Sequence, residues 1–458
     1  MIIEEDPDLV RRVWAARLGF LADSYDLFAI DLVVLIFEFV YGEQIFTVAA
    51  KSLSVTAMIA GVIVGQLSFG FIADWIGRKW AFVTTAALTV VGALLSASST
   101  DGTVLFLDLP AQLAVTRFLL GLGVGGEYPL AATVAAESTD EPYRRRMNLA
   151  SVISMQGFGM LLSSLVAMAA LMCGFSLEVT WRVILAFGAF PSFIAFFLRW
   201  KLHESAAYEN AVAEQAGSMH MGAEGVVDQT RDLLSIMTKL WRPLIGTAAP
   251  WMLMNVFQYS ISSFKSSLMN DLFPSQGLSA VDQVRNAAKF SAITSCFAIV
   301  GFAGSYSLLK WEMITLSKLQ ISGFSMLTVV FVIQGFLLLQ LGGGKGFLIL
   351  LGLMYFFQNC GPNMSTFIAP AEVYPTLVRA TCHGFSAASG KVGAMIGTAT
   401  ITPAAEEFGL PPVFFTCAVV TAVGATLTYF FFPRGPVSMP SSLKDAESTG
   451  SGKYSTFW

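Results

Sequence analysis

Apolar residues in this chain run in long unbroken stretches, neither alternating as in a strand nor forming the one-sided stripe of a soluble helix. Leu53 to Ile72, Ala81 to Ser98, Trp181 to Trp200, Ser322 to Leu341 and Val413 to Phe432 are the clearest. Each approaches the roughly 20 residues that a helix rising about 1.5 Å per residue needs to cross about 30 Å of hydrocarbon. The whole pattern predicts twelve spans, at 14–40, 50–73, 80–98, 111–137, 146–173, 181–202, 241–270, 288–309, 314–341, 345–372, 380–402 and 411–433. A polar stretch rich in Glu, Gly, Ala and Ser separates six spans from six. The expected organisation is therefore an N-terminal bundle at 1–202, a linker at 203–239, a C-terminal bundle at 240–433 and a disordered, Ser/Gly/Lys-rich tail at 434–458.

Composition agrees with a chain dissolved in lipid. Of its 458 residues 55% are hydrophobic and 13% charged, about half the charge of an ordinary soluble domain. An even number of spans puts both termini on one side. Basic residues choose that side: Arg11, Arg12, Arg17, Arg78, Lys79, Arg144, Arg145, Arg146, Lys310, Lys318 and Arg379 flank one set of span ends, and few flank the other. Both termini are expected in the cytoplasm, with the plasma membrane the expected location. Met1 to Arg17 lacks an apolar core with a small-residue cleavage site, so no removable signal peptide is expected. The net charge of −4 argues against nucleic acid as a partner. Five scattered cysteines, with no His at ligand spacing, suggest neither a metal site nor a cofactor.

The halves repeat. At a constant offset of 235 residues Glu137 falls on Glu372, Arg144 on Arg379, Tyr128 on Asn363 and Gln156 on Lys391. Parallel six-span repeats with a site at the midplane are a known transporter plan. After the second span stands Gly70-Phe-Ile-Ala-Asp74-Trp-Ile-Gly77-Arg78-Lys79, similar to the major facilitator loop signature G-x-x-x-D-x-x-G-R-K. Its expected work is conformational: glycine allows a tight turn and Asp74 can cap a facing helix. The second copy reads Leu309, Glu312 and Met313 where the first has Asp74, Gly77 and Arg78, so a gate there must be asymmetric.

Ionisable groups in oil cost several kcal/mol unless a polar cavity receives them. Asp23 and Asp26 share a face of span 1, with Asp31 beyond them; Arg117 and Glu127 sit in span 4, and Lys391 in span 11. Asp23, Asp26 and Glu127 are candidate proton carriers. Gly70, Asp74, Gly77, Arg78, Glu137, Arg144, Glu372 and Arg379 are candidate gate residues. His203-Glu204-Ser205-Ala-Ala-Tyr208, after span 6, is expected to cap a helix and lock the linker.

Several strings taken together resemble the phosphate:proton symporter family of the major facilitators. They are Phe20-Leu-Ala-Asp23-Ser24-Tyr25-Asp26, Gly125-Gly126-Glu127-Tyr128-Pro129-Leu130, Met155-Gln156-Gly157, Gly361-Pro362-Asn363, and Ser386-Ala-Ala-Ser389-Gly390-Lys391. The resemblance implies a major facilitator fold with twelve spans in two pseudo-symmetric six-helix bundles. It implies that Tyr128, Gln156, Trp251, Tyr259, Asn363 and Lys391 hold the anion, with Asn255 where the family has Asp. Glu127 stands where the family has a shorter Asp. Hydroxyl, amide and indole donors around one cation suit a tetrahedral oxyanion. Asn255 cannot titrate, so proton coupling would fall on Asp23, Asp26 and Glu127.

The expected function is proton-coupled transport of inorganic phosphate by alternating access, by a monomer whose partners are phosphate, protons and membrane lipid. The alternatives are another cargo such as sulfate or an organic ion, a weakly coupled phosphate facilitator, and a transporter-like receptor. The three histidines lack a nucleophile or metal-ligand partner at a telling spacing, so no enzyme is expected.

Overall fold

The computed structural model describes residues 7–100, 102, 107–218, 238–263, 277–341 and 345–437. These form fifteen α-helices and no strand: α1 Pro7–Ile45, α2 Val48–Ile76, α3 Arg78–Ala97, α4 Leu109–Ala136, α5 Pro142–Met172, α6 Leu177–Phe187, α7 Ala189–Trp200, α8 Ala206–Ser218, α9 Trp241–Ser263, α10 Ala280–Lys310, α11 Leu316–Leu341, α12 Lys345–Asn359, α13 Pro362–Val373, α14 Arg379–Phe408 and α15 Leu410–Phe431. They make twelve spans, because α6 with α7 and α12 with α13 are single spans broken in the middle and α8 belongs to the connection between the bundles. Pro362 interrupts span 10, since a proline lacks the N–H that would continue the ladder. The predicted end of span 7 at 264–270 lies outside the described residues, as do most of the linker and of the tail. Within the stretch read as a linker, 206–218 is a helix.

Eight spans are long and apolar enough to cross a bilayer by length and composition alone. The other four are α1, α9, α12 with α13, and α14. These carry Asp23 and Asp26, Asn255, Asn363, and Lys391. Asn255, Asn363 and Lys391 line a cavity between the bundles, whereas Asp23 and Asp26 do not.

Close packing at the centre depends on glycine. Gly61 and Gly65 of α2 face Gly121 and Gly125 of α4, and a Cβ at Gly121 would collide with the Met58 carbonyl and lie 3.0 Å from the Val62 nitrogen. Small residues four apart on two facing helices let backbones touch where lipid gives no hydrophobic drive. Gly123 and Gly126 repeat the device against Thr85, Thr89 and Phe69, so α4 is buried on nearly every side. The two bundles meet where α2 packs on α14 and α5 packs on α10.

Candidate transport site

Between the bundles lies a small cavity lined by Gln66, Tyr128, Gln156, Trp251, Met254, Asn255, Gln258, Tyr259, Asn363, Ala387 and Lys391. All seven residues expected to bind the anion are in it. The set draws on α2, α4, α5, α9, α13 and α14, so neither bundle owns the site. The Lys391 ammonium donates to the Tyr259 hydroxyl at 2.5 Å and stands 5.6 Å from the Tyr128 ring centre. Asn363 Nδ2 reaches across the bundles to Gln156 Oε1 at 2.9 Å and also donates to Asn359 Oδ1 at 2.7 Å. Tyr128 and Trp251, on opposite bundles, have ring centres 6.3 Å apart. Buried His383 props Trp251 edge-on at 5.6 Å. Among the described residues Lys391 is the only charged side chain in this lining, surrounded by amides, phenols and an indole.

The three candidate proton carriers lie elsewhere, behind α4 within the N-terminal bundle. Glu127 points away from the cavity that its neighbour Tyr128 lines. It forms a bidentate ion pair with Arg199 and accepts a hydrogen bond from Thr85 Oγ1 at 3.3 Å. Arg199 also donates to the carbonyls of Phe82 at 3.1 Å and Ala15 at 3.3 Å, and its guanidinium covers the Phe82 ring. This one side chain thus ties α1, α3, α4 and α7 together. Asp23 shares a second, smaller void with Glu127, Arg199, Thr89 and Ser192, and its Oδ2 has no hydrogen-bond partner. Asp26 is wholly buried against Gly188, at the break between α6 and α7. Neither of its carboxylate oxygens is hydrogen-bonded, although Arg117 donates to its backbone carbonyl at 3.1 Å.

At the basic end of the spans the bundles are clamped. Asp74, ending α2, accepts from the backbone N–H of Thr381 at 2.7 Å and of Ala380 at 3.4 Å, capping α14 across the interface. Arg78 pairs with Asp74 at 3.0 Å and Glu137 at 3.1 Å and donates to the Thr376 carbonyl at 2.7 Å. Glu137 in turn accepts from Arg379 at 3.1 Å. Gly70 packs its bare Cα against Ala380, where a Cβ would lie 2.7 Å from the carbonyl oxygen. Gly77 adopts φ +108 between α2 and α3, a left-handed turn that only glycine takes without strain.

One gate residue requires correction. Arg144, matched to Arg379 by the 235 offset, pairs with nearby Glu141 at 2.7 Å with its side chain 41% exposed, and does not join the clamp. Arg146 makes the pseudo-symmetric bridge instead, donating twice to Glu372 at 2.9 Å. Two residues on a helix turn the side chain through about 200°, so the sequence offset identified the right helix and the wrong face. The 203–208 string does cap a helix: Glu204 accepts from the N–H groups of Arg78 at 3.0 Å and Lys79 at 3.2 Å, and Tyr208 covers the Arg78 guanidinium. Sequence reasoning passed over Arg199 and Gln66. Arg199 sits near the end of its span, where a cation can reach water, and Gln66 is neither ionisable nor part of a string that resembles the family, so neither stood out.

Twelve spans in two bundles, a polar chamber at their seam and a clamp at one end define a membrane transporter of the major facilitator class, and not an enzyme. The fold is similar to that of the proton:xylose symporter XylE bound to 6-bromo-6-deoxy-D-glucose (TM-score 0.75, 18% identity, 95% of this chain and 98% of that one). It is also similar to the Escherichia coli fucose:proton symporter FucP (TM-score 0.65, 14% identity, 91% and 98%). By sequence the chain belongs to the sugar (and other) transporter family, which it matches over residues 13–435, and within the major facilitators to its phosphate:proton symporter branch. Inorganic phosphate transporter 1-6 of Oryza sativa subsp. japonica is 32% identical, over 94% of this chain and 92% of that protein. Probable inorganic phosphate transporter 1-9 of Arabidopsis thaliana is 31% identical, over 95% and 92%.

Proposed function

We propose that this chain carries inorganic phosphate across its membrane by alternating access and that inward proton flow drives it. The observation that carries the reading is the lining of the central cavity: Tyr128, Gln156, Trp251, Tyr259 and Asn363 offer neutral polar groups around one ammonium, Lys391, at the seam of two bundles. An oxyanion entering there competes with Tyr259 for the ammonium and exchanges water for hydroxyl, amide and indole donors. The names of the related proteins support the same cargo.

The basic end faces the cytoplasm in this reading, with both termini there and the plasma membrane as its home. The clamp of Gly70, Asp74, Gly77, Arg78, Glu137, Glu372, Arg379 and Arg146 closes that side and opens to release cargo, while bundles bounded at 1–202 and 240–433 rock about the cavity in a monomer. Protons are carried behind α4. Two carboxylates, Asp23 and Glu127, share one guanidinium, Arg199, so one added proton leaves that buried trio neutral; Asp26 stands a turn away with both oxygens unpartnered.

Radiolabelled phosphate uptake into proteoliposomes, with an imposed pH gradient and then with a proton ionophore, tests both parts. Absence of saturable uptake rejects the cargo; uptake indifferent to the gradient rejects the coupling alone. A proton-independent phosphate facilitator is the second reading, favoured by Asn255, which leaves the cavity lining without a carboxylate. Asn255→Asp separates the two: steeper dependence on the gradient is expected if the proton path is intact, and an unchanged pH profile favours the facilitator.

A further inference from the structure

Gln66 stands in the central cavity with no hydrogen-bond partner on either polar atom of its amide, although the residue is fully buried. An amide shut away from water in this condition costs about 1 to 3 kcal/mol for each unmatched group, a cost that a polar ligand in the cavity would remove. Its position is fixed by backbone contact. Gly384 of α14 lies bare against the Gln66 carbonyl, and any Cβ there would collide with it. Gln66, Gly70 and Asp74 lie four residues apart along α2 and share one face. That face presents its last two members to α14 in the clamp and its first to the cavity.

The cavity needs what Gln66 has. Trp251, Lys391 and Asn255 supply N–H donors. No carboxylate lines it among the described residues, Gln156 Oε1 already accepts from Asn363, and of the amides in the lining only Gln66 has both polar atoms buried and unmatched. The amide of Gln66 offers one acceptor oxygen and two donors. Phosphate near neutral pH retains at least one P–OH group and so brings a donor of its own; sulfate has the same tetrahedral shape and brings none. A site that pairs with a substrate hydroxyl rejects an analogue lacking it, because the analogue leaves the buried acceptor unmatched.

Building on the phosphate reading, we propose that Gln66 accepts the P–OH hydrogen of protonated phosphate through Oε1, and that this contact sets the preference for phosphate over sulfate in a cavity without an acid. The amide N–H groups remain available to the other phosphate oxygens.

The full chain and its variants in proteoliposomes are assayed for phosphate uptake and for inhibition of that uptake by sulfate. The parent chain is expected to be inhibited by sulfate only at concentrations at least tenfold above the KM for phosphate. Gln66→Leu, similar in length and without polar atoms, is expected to raise that KM at least tenfold while leaving the sulfate inhibition constant within a factor of three. Gln66→Glu keeps an acceptor at the same reach and is expected to restore the preference even where its charge lowers the maximal rate. A parallel loss for both anions in Gln66→Leu, an unchanged ratio of the two constants, or a Gln66→Glu chain with the ratio of Gln66→Leu overturns the assignment. Failure of the parent chain to take up phosphate at all counts instead against the function on which the assignment rests.

Discussion

Glu137 is the point at which the clamp is easiest to weaken without touching the cavity. Its side chain, 1% exposed, accepts from Arg78 of its own bundle and from Arg379 of the other, and Arg379 is only 8% exposed. Glu137→Gln removes the negative charge between two buried guanidiniums and leaves Asp74 as their nearest acid. Breaking a buried ion pair from one side costs about 3 to 5 kcal/mol. The glutamine oxygen can still accept one hydrogen bond, and Arg78 can stay beside residue 137 when the bundles part, so the loss specific to the clamped state is smaller, about 2 to 3 kcal/mol. That shifts the equilibrium roughly 30- to 150-fold toward the unclamped form, at about 1.4 kcal/mol per tenfold. Spin labels at Asp140→Cys and Met313→Cys, exposed loop positions at the basic end of each bundle, report the separation by pulsed electron paramagnetic resonance once the native cysteines are replaced. A longer, broader distance distribution is expected for Glu137→Gln. Adding Arg379→Met removes the stranded charge and is expected to restore much of the parent distribution. An unchanged distribution in the single variant, or no recovery in the double, refutes the view that charge pairing at this residue holds the bundles together.

Lys391→Gln is expected to raise the KM for phosphate at least tenfold, since the one cation among the described residues of the cavity is lost, and uptake titrations check this; a KM within a factor of two counts against anion binding at the seam. Glu127→Gln removes the bidentate partner of Arg199 and leaves Asp23, in the same void, as its one nearby carboxylate; it is expected to lower the melting temperature of the detergent-solubilised chain, whereas Glu127→Gln with Arg199→Met recovers most of the loss, because breaking a buried pair costs more than replacing both of its members. Equal melting temperatures for the single variant and the parent would remove the structural role given to this pair. Gly121→Val puts a branched side chain into the Met58 carbonyl and is expected to abolish folded, monodisperse protein in size-exclusion chromatography, while Gly346→Ala, with nothing within 4 Å of its Cβ position, leaves the profile unchanged.

The sequence by itself determined the number of spans and the family, and it named seven residues that the fold brings together in the lining of the central cavity. Spans are legible because every backbone polar group in oil must be satisfied within its own helix, which leaves a run of apolar residues as the sole signature required. The cavity residues were legible through the strings that resemble the family, and Lys391 also through the cost of an ammonium against lipid. Tertiary structure alone decided partners. Arg144 and Arg146 are two positions apart in one basic cluster, and only the rotation of α5 against α13 brings Arg146 to Glu372 and leaves Arg144 to Glu141. Arg199 lies near a span end, where a cation can reach water, and only the packing of α7 on α3 places it against Glu127. Gln66 resembled any amide in an apolar run until α2 crossed α14 and shut its side chain into the cavity. In each case the helix was written locally, but the direction in which a side chain points depends on about 100° of rotation per residue, and packing against distant segments sets that angle.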